Sequence, residues 1–482
     1  MLRLAWYGDD FTGASDTLAT VASAGLRTLL FARVPTAAQL ARAGELDALG
    51  IAGTARALAP AAMRAELAPV AAWFEALGAP VTHYKCCSTF DSAPAVGNLA
   101  VGLQALRAAA HQHWVPVVGG QPSLGRFCAF ATLFASAAAG GDVLRIDRHP
   151  TMSRHPVTPM HEADLRRHLA AQGLADMAHI DLRLLDAADD LALDAALDAA
   201  LGADLGAAVD SAVDSAVDAT ADAARGSAAD ATPAAPAMAA TLADAPPRRG
   251  GRELPRAVLF DTTRHEHLAR IGRLLWRRAQ RRPLLALGAS SVAQALIAQW
   301  RAEGLASPPE VHVAPAAGPV FVLAGSLSPV SAAQVAHAAP HFETVELHVP
   351  SLLAGGQPAD ASAARCVALL RQGRPVLART SAPAGEPQPP IDVAMACGRL
   401  LARVLEGAPH VRRIGVAGGD TSSFALRALD PWALRWAGTL APGVALLRLC
   451  ADQPRLDGLE LILKGGQMGP PDVFERLLAG PA

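Results

Sequence analysis

Two short segments in the first hundred residues concentrate the side chains able to do chemistry. In Trp6-Tyr7-Gly8-Asp9-Asp10-Phe11-Thr12-Gly13-Ala14-Ser15-Asp16, two adjacent carboxylates stand where an apolar strand gives way to a helix expected to begin near Ser15. Such a pair at a strand end can orient sugar hydroxyls, act as a base, or hold a magnesium ion through water. The plain alternative is a capped turn with solvated aspartates. In the second, Tyr84-Lys85-Cys86-Cys87-Ser88-Thr89-Phe90-Asp91-Ser92, an extended approach (PVTHY) delivers one lysine, several hydroxyls and a carboxylate to a loop. That is the chemistry of a pocket for a small polyhydroxylated acid. Lys85 would balance a substrate carboxylate while Asp91 and the hydroxyls bind its alcohols. Cys86 and Cys87 read as small packing residues, because no histidine off the strand is placed nearby as a base.

Three later segments have a different character. Val322-Leu323-Ala324-Gly325-Ser326-Leu327-Ser328-Pro329 and Ile414-Gly415-Val416-Ala417-Gly418-Gly419-Asp420-Thr421 each run from strand through a small-residue turn to a helix start. Ser328 reads as an N-cap and Pro329 as the first helical residue. Such turns aim backbone N–H groups and a helix dipole at an anion. Leu463-Lys464-Gly465-Gly466-Gln467-Met468-Gly469 is a third candidate for phosphate approach. A further stretch, Arg145 to Pro159, holds three arginines and two histidines within eleven residues. It reads either as an anion clamp or as a solvated, arginine-stapled loop, with Thr158 and Pro159 expected to start the next helix. Neither GxxxxGK[ST] nor GxGxxG occurs, so nucleotide binding would need another cradle.

Scarcity sharpens two of these positions. Of forty-two basic residues only Lys85 and Lys464 are lysines, and each falls inside a motif. A compact ammonium suits crowded phosphate or carboxylate oxygens in a way a planar guanidinium does not.

The elements that must position these groups follow from short apolar runs, LRLAWYG, VPVVGG, AVLFDTT, LLALGAS, VFVLAGS and RIGVAGG, each ending in Gly, Ser, Thr or Asp. Alternating with Ala/Leu-rich helical stretches, they indicate an α/β protein of two domains, each with a largely parallel sheet flanked by helices. Ligands in such sheets gather beyond the carboxyl ends of strands, which is where these polar endings lie, and the active site is expected in the cleft between the domains. The expected domains are 1–305 and 317–482, divided at the proline-rich ASPPEVHVAPAAGP. Residues 186–252, with aspartate at every fourth position over long stretches, read as a low-complexity insertion, part marginal helix and part linker. No basic residue answers those aspartates before Arg225. A net charge of −2 excludes a nucleic-acid tract or anionic membrane surface as the main partner. Six cysteines without metal-binding spacing, and an N-terminus without a signal-peptide core, favour the cytoplasm.

Taken together, GDDFTGASD, YKCCSTFDS with its later Gly97, RIDRHPTMSRHPVTPM, AGSLSPVSAAQ, GGDTSS and LKGGQMG resemble, in order, the four-carbon acid sugar kinase family. The likeness covers nearly everything outside 186–252 and lies nearest the 3-oxo-tetronate branch. It implies an N-terminal sugar-acid-binding domain, a C-terminal nucleotide-binding domain, and ATP-dependent phosphorylation of the terminal hydroxyl of a four-carbon acid. Threonate and erythronate are alternative acceptors, and a homodimer is left open. By the resemblance, Asp9, Asp10, Arg56, Lys85 and Asp91 line the acid's pocket. Ser326, Ser328, Gly418, Gly419, Asp420, Thr421 and Gly466 contact ATP. On this reading Asp9 or Asp10 orients or deprotonates the attacking hydroxyl, magnesium bridges the β- and γ-phosphates, and Lys464 neutralises developing charge. Two departures bear on specificity: Gly53 stands where related chains carry an acidic or amide residue, and LKGGQMG differs from the usual Ser- and Phe-containing loop. A sugar-acid sensor without turnover and a magnesium-dependent lyase or hydrolase are the competing classes.

Overall fold

A computed structural model describes residues 1–109, 114–137, 141–155, 157–187, 189–202, 256–325, 328–381, 388–466 and 468–481. Ser326, and the insertion beyond residue 202, lie outside the described residues.

All six apolar runs form parallel strands buried along almost all of their length, as expected where helices cover both faces. In the N-terminal half these are β1 (Leu4–Gly8), β2 (Thr28–Phe31), β3 (Ala48–Ala52), β4 (Val81–Lys85), β5 (Trp114–Val118), β6 (Gly120–Gln121), β7 (Arg126–Ala129), β8 (Thr132–Ser136), β9 (Val143–Arg145), β10 (Met177–Ile180), β11 (Arg256–Phe260) and β12 (Leu284–Gly288). The C-terminal half contributes β13 (Val320–Ala324), β14 (Glu343–Leu347), β15 (Val376–Thr380), β16 (Arg413–Ala417), β17 (Ala433–Ala441), β18 (Val444–Cys450) and β19 (Glu460–Lys464).

The two halves share one 15-stranded sheet, ordered β10-β11-β5-β12-β4-β1-β3-β2-β17-β18-β19-β16-β13-β15-β14. The seam is short. β2 and β17 pair antiparallel at Phe31 with Ala433 and Leu30 with Leu434. The Arg33–Asp430 and Arg42–Asp452 ion pairs add exposed contacts across it. Strands β6 to β9 form a separate four-stranded antiparallel sheet beside the N-terminal half.

The insertion departs from its expected character at its start. Asp190–Leu201 is a helix packed against the helix His265–Ala279. Asp190, Asp194 and Asp198 face Arg270, Arg273, Arg277 and Arg278, with Arg273 and Arg277 reaching Asp194 at 3.2 and 2.8 Å. The like charges at i, i+4 are answered by tertiary partners more than seventy residues away, which local spacing could not show.

Candidate active site

Strand register places the acidic motif beside the lysine motif. Gly8 of β1 lies opposite Lys85 of β4 and Ala52 of β3, so three loops emerge together from the carboxyl edge. Backbone bonds lock them: Asp9 N–H donates to the Lys85 carbonyl at 3.0 Å, Arg56 N–H to the Asp9 carbonyl at 3.1 Å, and Gly53 N–H to the Gly8 carbonyl at 2.9 Å.

Asp10 is the N-cap of the helix Phe11–Ala22 and accepts from Gly13 N–H at 2.6 Å. That helix therefore starts four residues before the expected Ser15. Gly13, a poor helix former in the first turn, obscures the start, and the reason for a glycine is steric. A Cβ there would lie 1.7 Å from Lys85 Nζ. Lys85 is 4% exposed and its ammonium rests on that glycine.

Arg56 Nη2 meets Asp10 Oδ2 at 2.5 Å. Burial would raise the Asp10 carboxyl, but Arg56, Lys85 and the Gly13 N–H outweigh it and hold Asp10 below the ordinary aspartate range. Asp9 goes the other way. Burial first, then repulsion from Asp10, lifts its carboxyl to about 7 against the pull of Arg56 and Lys85. Its Oδ1 is buried with no hydrogen-bond partner among the described residues. Asp91 accepts from Thr89 Oγ1 at 2.5 Å and from Thr158 Oγ1 at 3.1 Å. Thr158 thus serves the pocket instead of starting a helix; the next helix, Leu165–Ala170, is capped by Asp164. Cys87 is pushed up to about 11, chiefly by burial, which removes it as a nucleophile at neutral pH.

In the C-terminal half, Ala324, Ala417 and Lys464 end the adjacent parallel strands β13, β16 and β19 in register. Gly325 admits Thr421, whose Oγ1 would lie 2.3 Å from a Cβ at that position. Gly418, at φ 122°, turns the chain into the helix Gly419–Leu429. Ser328 caps the helix Pro329–Ala338 by accepting from Ser331 N–H at 3.1 Å. The hydroxyls of Ser328 and Ser331 both donate to the Gly466 carbonyl, at 2.5 and 3.2 Å. Lys464 is fully buried, donates to Ser331 Oγ at 3.3 Å, and is pushed down to about 8 by burial.

One cavity of about 490 Å³ joins the halves. Asp10, Arg56, Lys85 and Asp91 line it from one side and Gly419 and Gly466 from the other. Asp9, Ser328, Gly418, Asp420, Thr421 and Lys464 stand outside this lining, though Asp420 is near enough to act electrostatically on His155, which lines the cavity. Of the Arg145–Pro159 stretch, Met152 and His155 reach the cavity; Arg145 pairs with Asp147 at 2.6 Å, and Arg148 and Arg154 are exposed. The solvated reading fits those arginines.

Two contributors escaped sequence reasoning. Glu66 accepts from Thr54 N–H and Thr54 Oγ1, both at 2.7 Å, and from the Tyr7 hydroxyl, fixing the loop that carries Arg56. The Tyr7 hydroxyl fills the space beside Gly53, 1.9 Å from where a Cβ would be. Arg126, the first residue of β7, also lines the cavity. A half-buried glutamate on the next helix and an arginine in an unremarked hairpin carry no local signal.

In this α/β fold, carboxylates and cations of the N-terminal half face glycine turns of the C-terminal half across one cavity, an arrangement that suits phosphoryl transfer to a small acid. Comparison agrees: residues 4–245 match the sugar-binding N-terminal domain family and residues 321–474 the nucleotide-binding C-terminal domain family. The chain belongs to the four-carbon acid sugar kinase family and is an ATP-using sugar-acid kinase. It is 35% identical to a 3-oxo-isoapionate kinase of Paraburkholderia graminis, over 99% of this chain and 94% of the relative. It is 30% identical to a 3-oxo-tetronate kinase of Methylobacterium radiotolerans, over 99% of both. In fold it is similar to a Salmonella typhimurium structure described as a putative tRNA synthase, with TM-score 0.71, 23% identity and coverage of 99% and 98%. Among the described residues no helix is long and apolar enough to cross a membrane.

Proposed function

We propose that the enzyme transfers the γ-phosphoryl group of ATP to the terminal hydroxyl of a 3-oxo four-carbon acid, 3-oxo-tetronate in the first place, giving the 4-phosphate. The observation carrying this reading is the shared cavity, in which carboxylates and cations of the N-terminal half face the glycine turns of the C-terminal half. The 35% relative favours 3-oxo-isoapionate as a second acceptor. Both walls of the cavity come from one chain, so a homodimer is compatible with the reading but not needed by it, and the cytoplasm supplies the ATP.

Phosphoryl transfer is mostly positioning and charge stabilisation, with little covalent work for the protein. Asp10, ionised and on the cavity wall, orients the acceptor hydroxyl. Asp9 sets the charge of the pair from behind it. The turns at Gly418–Thr421 and Gly466, with Ser326 and Ser328, receive the phosphates, and Lys464 adds positive charge beneath them. Among the described residues no group of three His, Cys, Asp or Glu could hold a metal. Magnesium needs fewer, since it takes most of its ligands from phosphate and water. The exposed carboxylate of Asp420, in the first turn after Gly418, fits as its protein ligand. When bound, the ion would neutralise charge on the phosphate oxygens.

The test is coupled ADP release with ATP, magnesium and a panel of 3-oxo-tetronate, 3-oxo-isoapionate, threonate and erythronate. Turnover with a 3-oxo acid well above the rate with ATP alone is expected. A flat response across the panel would sink the reading.

A further inference from the structure

The cavity wall carries three permanent cations, Arg56, Lys85 and Arg126, and they differ in what already answers them. Arg56 is in direct contact with Asp10. Lys85 loses stabilisation to burial, but Asp10 and Asp9 more than restore it and hold its pKa above the ordinary value. These two charges are thus spent on the aspartate pair. A substrate carboxylate placed on them would compete with Asp10 for both.

Arg126 has no such partner. Its Nη1 donates to the backbone carbonyl of Leu124, its Nε is buried without an acceptor, and no carboxylate among the described residues pairs with it. Burial lowers its pKa, with only the neighbouring Cys87 acting in the other direction. It stands in register with Gln121 on β6, another group on the wall, and Cys87 ties it to the loop of Lys85 and Asp91. A partly buried guanidinium whose buried Nε lacks an acceptor, with no counter-ion among the described residues, is costly unless an anion completes it. Its planar fork matches a carboxylate's two oxygens.

We infer that Arg126 receives the carboxylate of the sugar acid, while Lys85 and Arg56 organise the Asp9–Asp10 pair at the reacting end. This inference rests on the sugar-acid kinase reading above, since it needs an acceptor with a carboxylate. It makes Arg126 the residue that selects acids over neutral sugars.

The test compares 3-oxo-tetronate with its neutral ketose analogue, in which a hydroxymethyl group replaces the carboxylate. For Arg126→Ala, kcat/KM for the acid should fall about 100-fold, as expected for loss of a charge-assisted contact. The neutral analogue and the KM for ATP should each stay within about threefold, the scale of an indirect effect. Arg126→Lys should recover part of the loss. If Arg126→Ala does not fold, Arg126→Gln and Arg126→Lys, which keep most of the side-chain volume, carry the same comparison. A variant that keeps the wild-type preference for acid over ketose, or that loses both substrates equally, overturns the assignment while leaving the kinase intact. A wild-type enzyme that phosphorylates no acid overturns the functional reading, and this assignment with it.

Discussion

The two walls of the cavity are built in opposite ways. The N-terminal wall is built from side chains: Asp10 against Arg56 at 2.5 Å, Lys85 against the aspartate pair, Asp91 against two threonine hydroxyls. Its charges are largely answered before a substrate arrives. The C-terminal wall is glycine backbone at Gly419, Gly465 and Gly466, and behind it lies one buried lysine, Lys464, that has a serine and, among the described residues, no carboxylate for company. A wall of paired side chains discriminates, because each group has a fixed direction. A wall of N–H groups receives a common shape, the phosphate chain, with little regard to what carries it. That division suits an enzyme whose phosphoryl donor is generic and whose acceptor is not.

The sharpest way to break this comparison is Asp10→Asn. Asparagine also caps helices, so the helix Phe11–Ala22 should persist, but the charge facing the cavity and Arg56 disappears. We expect kcat to fall about 1,000-fold with KM for ATP nearly unchanged, as for an interaction made mainly in the transition state. Steady-state ADP release at varied ATP and varied acid measures both. A loss under about tenfold would remove Asp10 from the reacting end, and the N-terminal wall would become a binding surface only.

The contrast between the walls also explains what the sequence made legible. Glycine turns after apolar strands announced themselves, because parallel strands buried on both faces read as continuous apolar runs and their ends as small residues. Lys85 and Lys464 stood out by rarity. Asn98, rare by the same measure, is structural: it caps the helix Leu99–Leu106 by accepting from Val101 N–H at 3.0 Å. What stayed hidden depends on tertiary proximity. Gly13 marks a space for Lys85 more than seventy residues on, and Glu66 reaches the Arg56 loop from a different helix. Arg126 owes its place to a small antiparallel sheet no motif signalled. Within the sheet the halves join through β2 and β17, whose pairing has no local signature. The aspartates of the insertion found their arginines across the fold.

Lys464 tests the other wall. Burial pushes its pKa down to about 8, so below that pH it is charged and able to favour phosphate, and above it the ammonium is progressively lost. KM for ATP in the wild-type enzyme should therefore rise as pH climbs through 8 to 9.5. Lys464→Met, which keeps the apolar stem, should raise KM for ATP about 30-fold at pH 7, the scale of one charge-assisted contact. It should also flatten the pH dependence and leave KM for the acid alone. An unchanged slope in the variant would show that the lysine packs beneath the cradle without reaching the nucleotide.

The smallest effect distinguishes stability from activity on the N-terminal wall. Asp9 is held at about 7, mainly by burial and then by Asp10, against an ordinary 3.8. Between those two values the folded protein binds a proton that the unfolded chain has released. Stability contributed by this group therefore falls as pH rises from about 3.8 to about 7, and above that the full cost is present. Asp9→Asn cannot ionise and escapes that cost, which is already net of the attraction to Arg56 and Lys85. The gain expected at pH 8 in the ligand-free enzyme is a few kcal/mol, up to about 4 kcal/mol for the whole shift. At pH 4 the gain should vanish. Urea unfolding of both proteins across that range reads the difference directly. The same substitution should lower kcat, because Asp10 loses the neighbour that sets the charge of the pair. A variant more stable at pH 8 yet slower would show the acid wall holding its aspartates together at a cost in stability. A variant no more stable at pH 8 than at pH 4 would mean that Asp9 is ionised throughout, fully compensated by Arg56 and Lys85, and that the wall is balanced without strain.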